Sequence, residues 1–101
     1  MSQYQLTSPA TEDLIEILNY IATENPGAAD RVEVAILESC DLLASSPLAG
    51  HIRSDLTRRP VRFWAVPRFP NYLIVYDPTS RPITIIRIIH AVRDLPRHLN
   101  P

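Results

Sequence analysis

The chain of 101 residues contains no lysine, and all ten of its basic residues are arginines. Schiff-base chemistry and a lysine general base are therefore excluded. The arginine guanidinium is a planar fork that suits phosphate groups, carboxylates and aromatic faces. A chain whose basic residues are all arginines thus favours the binding of polyanions or acidic segments.

Cysteine and glycine are also scarce. Cys40 is the only cysteine, so no internal disulfide can form, and its apolar helical surroundings predict a small buried side chain. The two glycines, Gly27 and Gly50, cannot make a glycine-rich phosphate loop. The three histidines have no metal-ligand spacing with the cysteine or with carboxylates. We therefore expect neither a metal nor a cofactor.

Long apolar runs are missing as well. No run approaches the roughly 20 residues that span a bilayer, and the first residues lack the charged and apolar regions of a signal peptide. We therefore expect a cytoplasmic protein with no membrane partner. Because 46% of the residues are hydrophobic, the chain can form one modest core, which predicts a single domain over residues 1–101.

Charge is unevenly distributed along the chain. Residues 1–50 hold eight acidic residues and one arginine, a net charge of −7, whereas residues 51–101 hold nine arginines and three acidic residues, a net charge of +6. The formal net charge of −1 hides this asymmetry. A dipolar protein is expected to meet a charged partner. The acidic residues can form a solvated helix face or a surface for a basic partner, and both interpretations stay open.

A short strand from Gln3 to Leu6 and two helices are predicted in the first half of the chain. Ser8-Pro9 and Asn25-Pro26 are helix start signals, with Ser8 as the N-cap of the first helix, and Pro47 stops the second. The predicted apolar stripes of the helices are Ala10, Leu14, Ile17, Leu18 and Ile21, and Ala29, Val32, Ile36, Cys40 and Leu43.

The second half predicts a sheet. After a connection over residues 47–60, three apolar runs bounded by proline or turn residues predict strands at 61–66, 72–77 and 83–92. The short loops between these strands favour an antiparallel meander, and the two helices, with almost no residues between them, favour a hairpin that covers one face. The predicted fold class is α+β with the order β-α-α-β-β-β, a helical hairpin packed on a small, mainly antiparallel sheet.

Arg87 stands out within the last predicted strand because a buried, unpaired arginine costs several kcal/mol. If Ile86 and Ile88 point to the helices, Arg87 lies on the open face of the sheet, where Arg62 can lie near it. A pair between Arg87 and a local carboxylate such as Asp77 is the other interpretation. Strict alternation divides the strand into one face with Ile83, Ile85, Arg87, Ile89 and Ala91, and another with Ile86, Ile88 and His90.

Several segments form an ordered series along the chain. They are the paired helix starts and apolar positions of residues 8–31, the linker of residues 47–56, and the strands of residues 72–76 and 86–95. Together they resemble the ParE/RelE superfamily of bacterial toxins over nearly the whole chain. The resemblance implies a type II toxin-antitoxin module, in which a labile antitoxin wraps the toxin with an extended or helical tail. The implied partner is therefore a cognate antitoxin.

Members of this superfamily have two activities: RelE-like toxins cut messenger RNA in the ribosome, and ParE-like toxins poison DNA gyrase. The RNA-cutting branch is strongly basic, whereas this chain has a net charge of −1. No tyrosine follows Tyr76, although some RelE-like members place a catalytic tyrosine near the C-terminus. The segment from His90 to Asp94 is more similar to the ParE branch, so the resemblance favours gyrase inhibition.

Three alternatives stay open. A metal-independent RNase would use Arg62, Arg87 and His90, with His98 as a substitute for His90. An inactive homologue would bind only its antitoxin. A nucleic-acid-binding module without toxicity would use the same arginines, but the sequence contains no helix-turn-helix, zinc site or paired RNA-stacking aromatic residues.

No catalytic residue is assigned on the gyrase interpretation, because a poison acts by binding and trapping its target. Any contact with DNA would be indirect, through gyrase or the antitoxin. Arg58 and Arg59 can equally be solvated loop charges, while core packing is the favoured interpretation of Trp64 and His90. The candidates for target or antitoxin binding are Arg53, Arg58, Arg59, Arg62, Trp64, Phe69, Arg87 and Arg93.

Overall fold

The computed structural model describes residues 4–98, and the side chains of residues 4–94. The elements in chain order are β1 (Tyr4–Leu6), α1 (Ser8–Ala22), α2 (Pro26–Ser45), β2 (Arg62–Val66), β3 (Phe69–Asp77), β4 (Ile83–His90) and α3 (Ala91–His98). The sheet has the order β1-β4-β3-β2. The last three strands form an antiparallel meander, and β1 pairs in parallel with β4. The predicted α+β fold class is confirmed.

The helical hairpin covers one face of this sheet. Both predicted stripes face the core, and in α2 all five predicted positions are buried. On the sheet side the main core comprises Val66, Ile74, Tyr76, Ile83, Ile85 and Ile88. A second apolar cluster lies on the opposite face and comprises Val61, Phe63, Leu73, Val75 and Ile89.

The two helices begin with side-chain caps. Asn25 is the predicted N-cap of α2, and its side chain accepts a hydrogen bond from the Ala28 N–H at 3.0 Å. In α1 the N-cap is Thr7 rather than Ser8, and Thr7 Oγ1 accepts from the Ala10 N–H at 3.1 Å. The prediction for Ser8 is wrong because Thr7, in extended conformation directly after β1, already provides the cap.

Three strand boundaries differ from the prediction, and the smallest difference is that β2 begins at Arg62 rather than at residue 61. β3 begins at Phe69, since Pro67 and Arg68 alone form the turn between β2 and β3, with Val66 opposite Phe69. Arg68 has a φ of 70°, the left-handed conformation that suits the second central position of such a turn. β4 ends at His90 rather than at residue 92, because α3 begins at Ala91.

A bulge in β4 corrects the predicted division of its faces. In the strand register Val75 lies opposite Arg87, and Tyr76 lies opposite Ile85. No residue of β3 is therefore paired with Ile86, which is the extra residue of the bulge. After the bulge Ile88 packs with the hairpin, as Ile85 does, whereas Ile86 packs against the second cluster. Strict alternation is therefore wrong beyond Ile85.

Tyr76 fixes the connection between α2 and β2. Its side chain is fully buried, and its hydroxyl donates to the Pro47 carbonyl at 2.6 Å and accepts from the Gly50 N–H at 2.9 Å. A Cβ atom at Gly50 would lie 2.6 Å from that hydroxyl and 2.9 Å from the Phe63 carbonyl oxygen. His51 then exchanges two backbone hydrogen bonds with Phe63, both of 2.8 Å. The segment between α2 and β2 is thus hydrogen-bonded to the outer strand β2.

We expect Tyr76→Phe to destabilise the protein, since it leaves the Gly50 N–H and the Pro47 carbonyl without the buried hydroxyl. Losing such partners costs roughly 1–3 kcal/mol in the free energy of unfolding, which a urea titration would measure. Tyr20→Phe is the matched control, because Tyr20 is 68% exposed. Equal midpoints for the two variants would contradict the assigned role of Tyr76.

We also expect the Cys40 thiol to be unreactive in the folded protein. Burial raises its pKa to about 12, and the negative charge of Asp41 adds to the rise. At pH 8 the thiol therefore stays protonated and out of contact with solvent, whereas the unfolded chain exposes an ordinary cysteine. Ellman's reagent should react only in denaturant, and the signal reports Cys40 alone because the chain has no other cysteine. Rapid reaction under native conditions would contradict the buried placement.

Candidate functional site

The outer edge of β4 is the place where the hairpin and the sheet meet through polar groups. β1 pairs with β4 only as far as Ile85, and the next backbone groups of β4 find partners in α1 and its N-cap. The Thr7 hydroxyl donates to the Ile86 carbonyl at 2.8 Å, and the Asp13 carboxylate accepts from the Ile88 N–H at 3.0 Å. Beyond the end of β1, side chains of α1 and its N-cap therefore provide the hydrogen bonds to the edge of β4.

Asp13 also binds Arg87 with both oxygens. The Arg87 Nε lies 2.7 Å from Oδ2 and its Nη2 lies 2.8 Å from Oδ1, the fork geometry of a strong charged pair. The hydrogen bond to Asp13 raises the pKa of Arg87, and burial of the guanidinium opposes this rise. Arg87 therefore pairs with a carboxylate, as one of the two interpretations expected, but the partner is Asp13 and not Asp77. The Asp77 side chain accepts hydrogen bonds from Thr79 instead.

A second carboxylate, Asp94, satisfies the end of the same strand. It accepts from the His90 N–H at 2.8 Å and holds the Arg93 guanidinium at 2.8 and 3.2 Å. His90 Nδ1 in turn accepts from the Arg93 N–H at 3.3 Å, so His90 caps α3. His90 is half-buried and packs edge to face on Tyr72, with ring centroids 5.4 Å apart. The prediction that His90 packs in the core is therefore only partly correct, because the side chain is half-buried.

A groove on the sheet face away from the hairpin brings together two of the predicted arginines, Arg59 and Arg87. It has a volume of about 310 Å³. Arg59 is exposed, and its guanidinium makes no hydrogen bond or ion pair to the described residues. The groove is lined by Thr7, Pro9, Thr57, Arg59, Val61, Val75, Ile86 and Arg87.

The other predicted arginines lie apart from this groove. The Arg62 side chain donates to the Gly50 carbonyl at 2.8 Å. In the strand register Arg62 lies opposite Tyr76, which faces the hairpin side of the sheet. Arg53 forms a fork with Asp55 at 2.9 and 2.7 Å, exposed to solvent. Arg58 is exposed with no side-chain partner among residues 4–94. The expected proximity of Arg62 to Arg87 is therefore wrong, because β3 separates their strands and they belong to opposite faces.

The two predicted aromatic anchors border α2. Trp64 is half-buried against the main core, and its indole Nε1 donates to Ser39 at 3.2 Å. Phe69, also half-buried, begins β3. Arg68, a residue that sequence reasoning did not select, lines both the cavity beside Trp64 and the cavity beside Phe69. The only signal in the sequence was Pro67, which marks a turn directly before Arg68.

Sequence reasoning also missed a cleft between α1 and α3. With a volume of about 460 Å³, it is larger than the groove on the open face of the sheet. Its residues come from four elements, α1, β3, β4 and α3, so no motif marks it. The lining residues are Glu16, Ile17, Tyr20, Tyr72, His90 and Arg93.

Of the three groups that an RNase would require, Arg62 lies apart from the other two, whereas Arg87 and His90 line adjoining cavities. Arg62 binds the α2–β2 connection, Arg87 binds α1, and His90 caps α3. Within residues 4–94, no group of three or more histidine, cysteine or acidic side chains has the arrangement of a metal site. No helix among the described residues is long and apolar enough to cross a membrane.

The class of this protein follows first from its architecture, a small α+β domain with a helical hairpin on a four-stranded sheet. A solved chain described as "Chromosomal ParDE TA system from P. aeruginosa" has the same fold, with a TM-score of 0.73 and 22% identity. The match covers 89% of this chain and 96% of the solved chain. At this level of identity the likeness concerns the fold alone.

The family follows from the sequence comparisons. Residues 4–95 match the family described as "ParE toxin of type II toxin-antitoxin system, parDE". The chain is 32% identical over 93 residues to "Toxin RelE2" of Caulobacter vibrioides, with 92% of this chain and 99% of that toxin covered. The chain therefore belongs to the ParE toxin family of type II toxin-antitoxin systems, within the ParE/RelE superfamily. Membership in such a system implies an antitoxin partner.

We expect Asp13→Asn to destabilise the protein because a neutral amide cannot match the Arg87 fork and the Ile88 N–H together. The side chains of Arg87 and Asp13 are 27% and 16% exposed, so the expected loss is about 2 kcal/mol, less than for a fully buried pair. The free energy of unfolding from urea titrations measures the effect.

Asp30→Asn is the control for this substitution. Asp30 is exposed on α2, and its side chain makes no hydrogen bond to the described residues. A change within about 0.5 kcal/mol is expected there. If Asp13→Asn and Asp30→Asn unfold at the same urea concentration, the hydrogen bonds of Asp13 contribute no net stability.

Proposed function

We propose that this toxin inhibits DNA gyrase by trapping the cleaved-DNA complex, and that its antitoxin neutralises it. The observation that supports this choice is the separation of Arg62 from Arg87 and His90. Each of them is held in a different structural contact. A metal-independent RNase needs its charge-stabilising and proton-transferring groups around one phosphate. Binding a protein target needs no such convergence.

The surface we assign to the target is the open-face groove with Arg59 and Arg87, together with Arg58 on the adjoining connection. Arg58 and Arg59 expose guanidinium groups that make no hydrogen bond or ion pair to the described residues. Such groups can bind acidic side chains without first breaking an internal pair. Arg53, in contrast, is already engaged by Asp55. Trp64 and Phe69, beside α2, are assigned to the antitoxin, since half-buried aromatic residues next to a cavity are typical interface anchors.

The overall charge supports the same choice. RNA-binding surfaces neutralise many phosphates, and their affinity depends on the number of cations. The net charge here is −1, and three of the candidate arginines, Arg53, Arg87 and Arg93, are held by carboxylates. We place the toxin in the cytoplasm, where gyrase and an antitoxin would meet it.

The test adds purified toxin to gyrase, supercoiled plasmid and ATP, followed by detergent and protease. We expect linear DNA to accumulate because the cleaved complex is trapped. Arg59→Ala should reduce the linear product severalfold, since arginine is one of the residue types enriched among interface hot spots, whose truncation costs about 2 kcal/mol or more. Arg31→Ala is the matched control, an exposed arginine on α2 outside the groove.

The same preparations are then added to ribosomes translating a defined messenger RNA, and cleavage is read by primer extension. Cleavage there, without linear plasmid in the gyrase reaction, would overturn the gyrase proposal in favour of an RNase. A folded toxin without effect in either reaction would identify an inactive homologue that only binds its antitoxin. Equal linear product from Arg59→Ala and Arg31→Ala would remove the groove from the target surface.

A further inference from the structure

The cleft between α1 and α3 has no role in the proposed contact with gyrase. Its cavity of about 460 Å³ adjoins a second one of about 350 Å³, and the two share Glu16, Ile17 and Arg93. The second cavity adds the charged groups Asp13, Arg87 and Asp94. Four parts of the chain, α1, β3, β4 and α3, therefore contribute to one continuous concave surface.

The charges within the cleft do not cancel. The Arg87 guanidinium is paired with Asp13 at 2.7 Å, and that of Arg93 with Asp94 at 2.8 Å. Glu16 is exposed, and its carboxylate makes no hydrogen bond to the described residues. The pKa of Arg93 is raised by its hydrogen bond to Asp94 and, to a smaller extent, by the negative charge of Glu16. His90 contributes its Nδ1 atom, which accepts a hydrogen bond from the Arg93 N–H. The cleft as a whole carries the negative charge of Glu16.

Two tyrosines form the aromatic part of this cleft. Tyr20 is 68% exposed, and it lies four residues after Glu16, which places both on the same side of α1. Tyr72 is half-buried, and burial is the main cause that raises its pKa, with Arg93 opposing the rise and Tyr20 adding to it. These influences place the three side chains within electrostatic reach of one another. Tyrosine faces next to a carboxylate attract cations.

We propose that this cleft binds an arginine or lysine side chain of the antitoxin, with Glu16 as the ion-pair partner and Tyr20 and Tyr72 as the aromatic walls. The proposal rests on the proposed function insofar as the occupant is an antitoxin segment. Charge decides the chemistry of the occupant, because an anionic group would face Glu16 while both arginines are already paired. The DNA-bearing gyrase complex is for the same reason a poor occupant of this cleft. The acidic outer side of α1 thereby obtains a basic partner.

The test uses N-acetyl-arginine amide as the probe and follows the side-chain NMR signals of Tyr20, Tyr72 and His90 in the full chain. We expect saturable shifts of these signals at millimolar probe. Glu16→Gln should weaken binding about two- to fivefold, as expected for one exposed ion pair. Tyr20→Ala should weaken it by a similar factor, through loss of the aromatic wall. Neither residue is buried, so both variants are expected to fold.

Glu33→Gln is the control for charge, since Glu33 is an exposed acidic residue of α2 outside the cleft. N-acetyl-glutamate amide and inorganic phosphate are the control ligands. Binding of phosphate or of the glutamate probe in preference to arginine would overturn the proposal and identify an anion site at Arg93. Absence of saturable shifts, or an equal loss in Glu16→Gln and Glu33→Gln, would overturn it as well. Because gyrase takes no part in this measurement, its outcome is independent of the proposed target.

Discussion

The hydrogen bonds of one carboxylate, Asp13, join the two layers of this protein. Asp13 lies in the second turn of α1, and it holds both the Arg87 fork and the Ile88 N–H of β4. A carboxylate can accept several hydrogen bonds, so one side chain replaces strand pairing and neutralises an arginine in the sheet. Because α1 is held over β4, the helical hairpin is held over the core. The bulge at Ile86 lets the Arg87 side chain reach Asp13 at the outer edge of β4. The cleft and the open-face groove lie on either side of this contact.

A high arginine content does not by itself make a basic binding surface. Arg53, Arg87 and Arg93 are held by carboxylates close in space, and Arg62 is held by the carbonyl of Gly50. Among the arginines whose side chains the structure describes, exposed and uncommitted guanidinium groups belong to the connection before β2, to the turn after it and to the first turns of α2. Of the three ion pairs among the described residues, only Arg87–Asp13 joins the acidic half of the chain to the arginine-rich half.

Local patterns predicted most of the fold, whereas the geometry of the candidate site depends on contacts distant in sequence. The proline-containing helix starts and the apolar stripes defined α1 and α2, and the apolar runs defined the meander. The bulge at Ile86 left no signal, because Ile-Ile-Arg-Ile-Ile reads equally well as uninterrupted alternation. The Asp13–Arg87 pair spans 74 residues, so only the folded chain reveals it. α3 was missed because its cap is a histidine, a residue type that rarely signals a helix start.

The hydrogen bonds along β4 also limit how the protein can associate. An open strand edge normally recruits another strand, from a partner or from a second copy of the same chain. Here the Ile86 carbonyl and the N–H groups of Ile88 and His90 are already bound by side chains of the chain itself. A strand could be added at this edge only after α1 and Asp94 had released it. The protein without its antitoxin is thereby protected from edge-to-edge aggregation at β4, and a partner that approaches this side must dock through side chains rather than through the backbone.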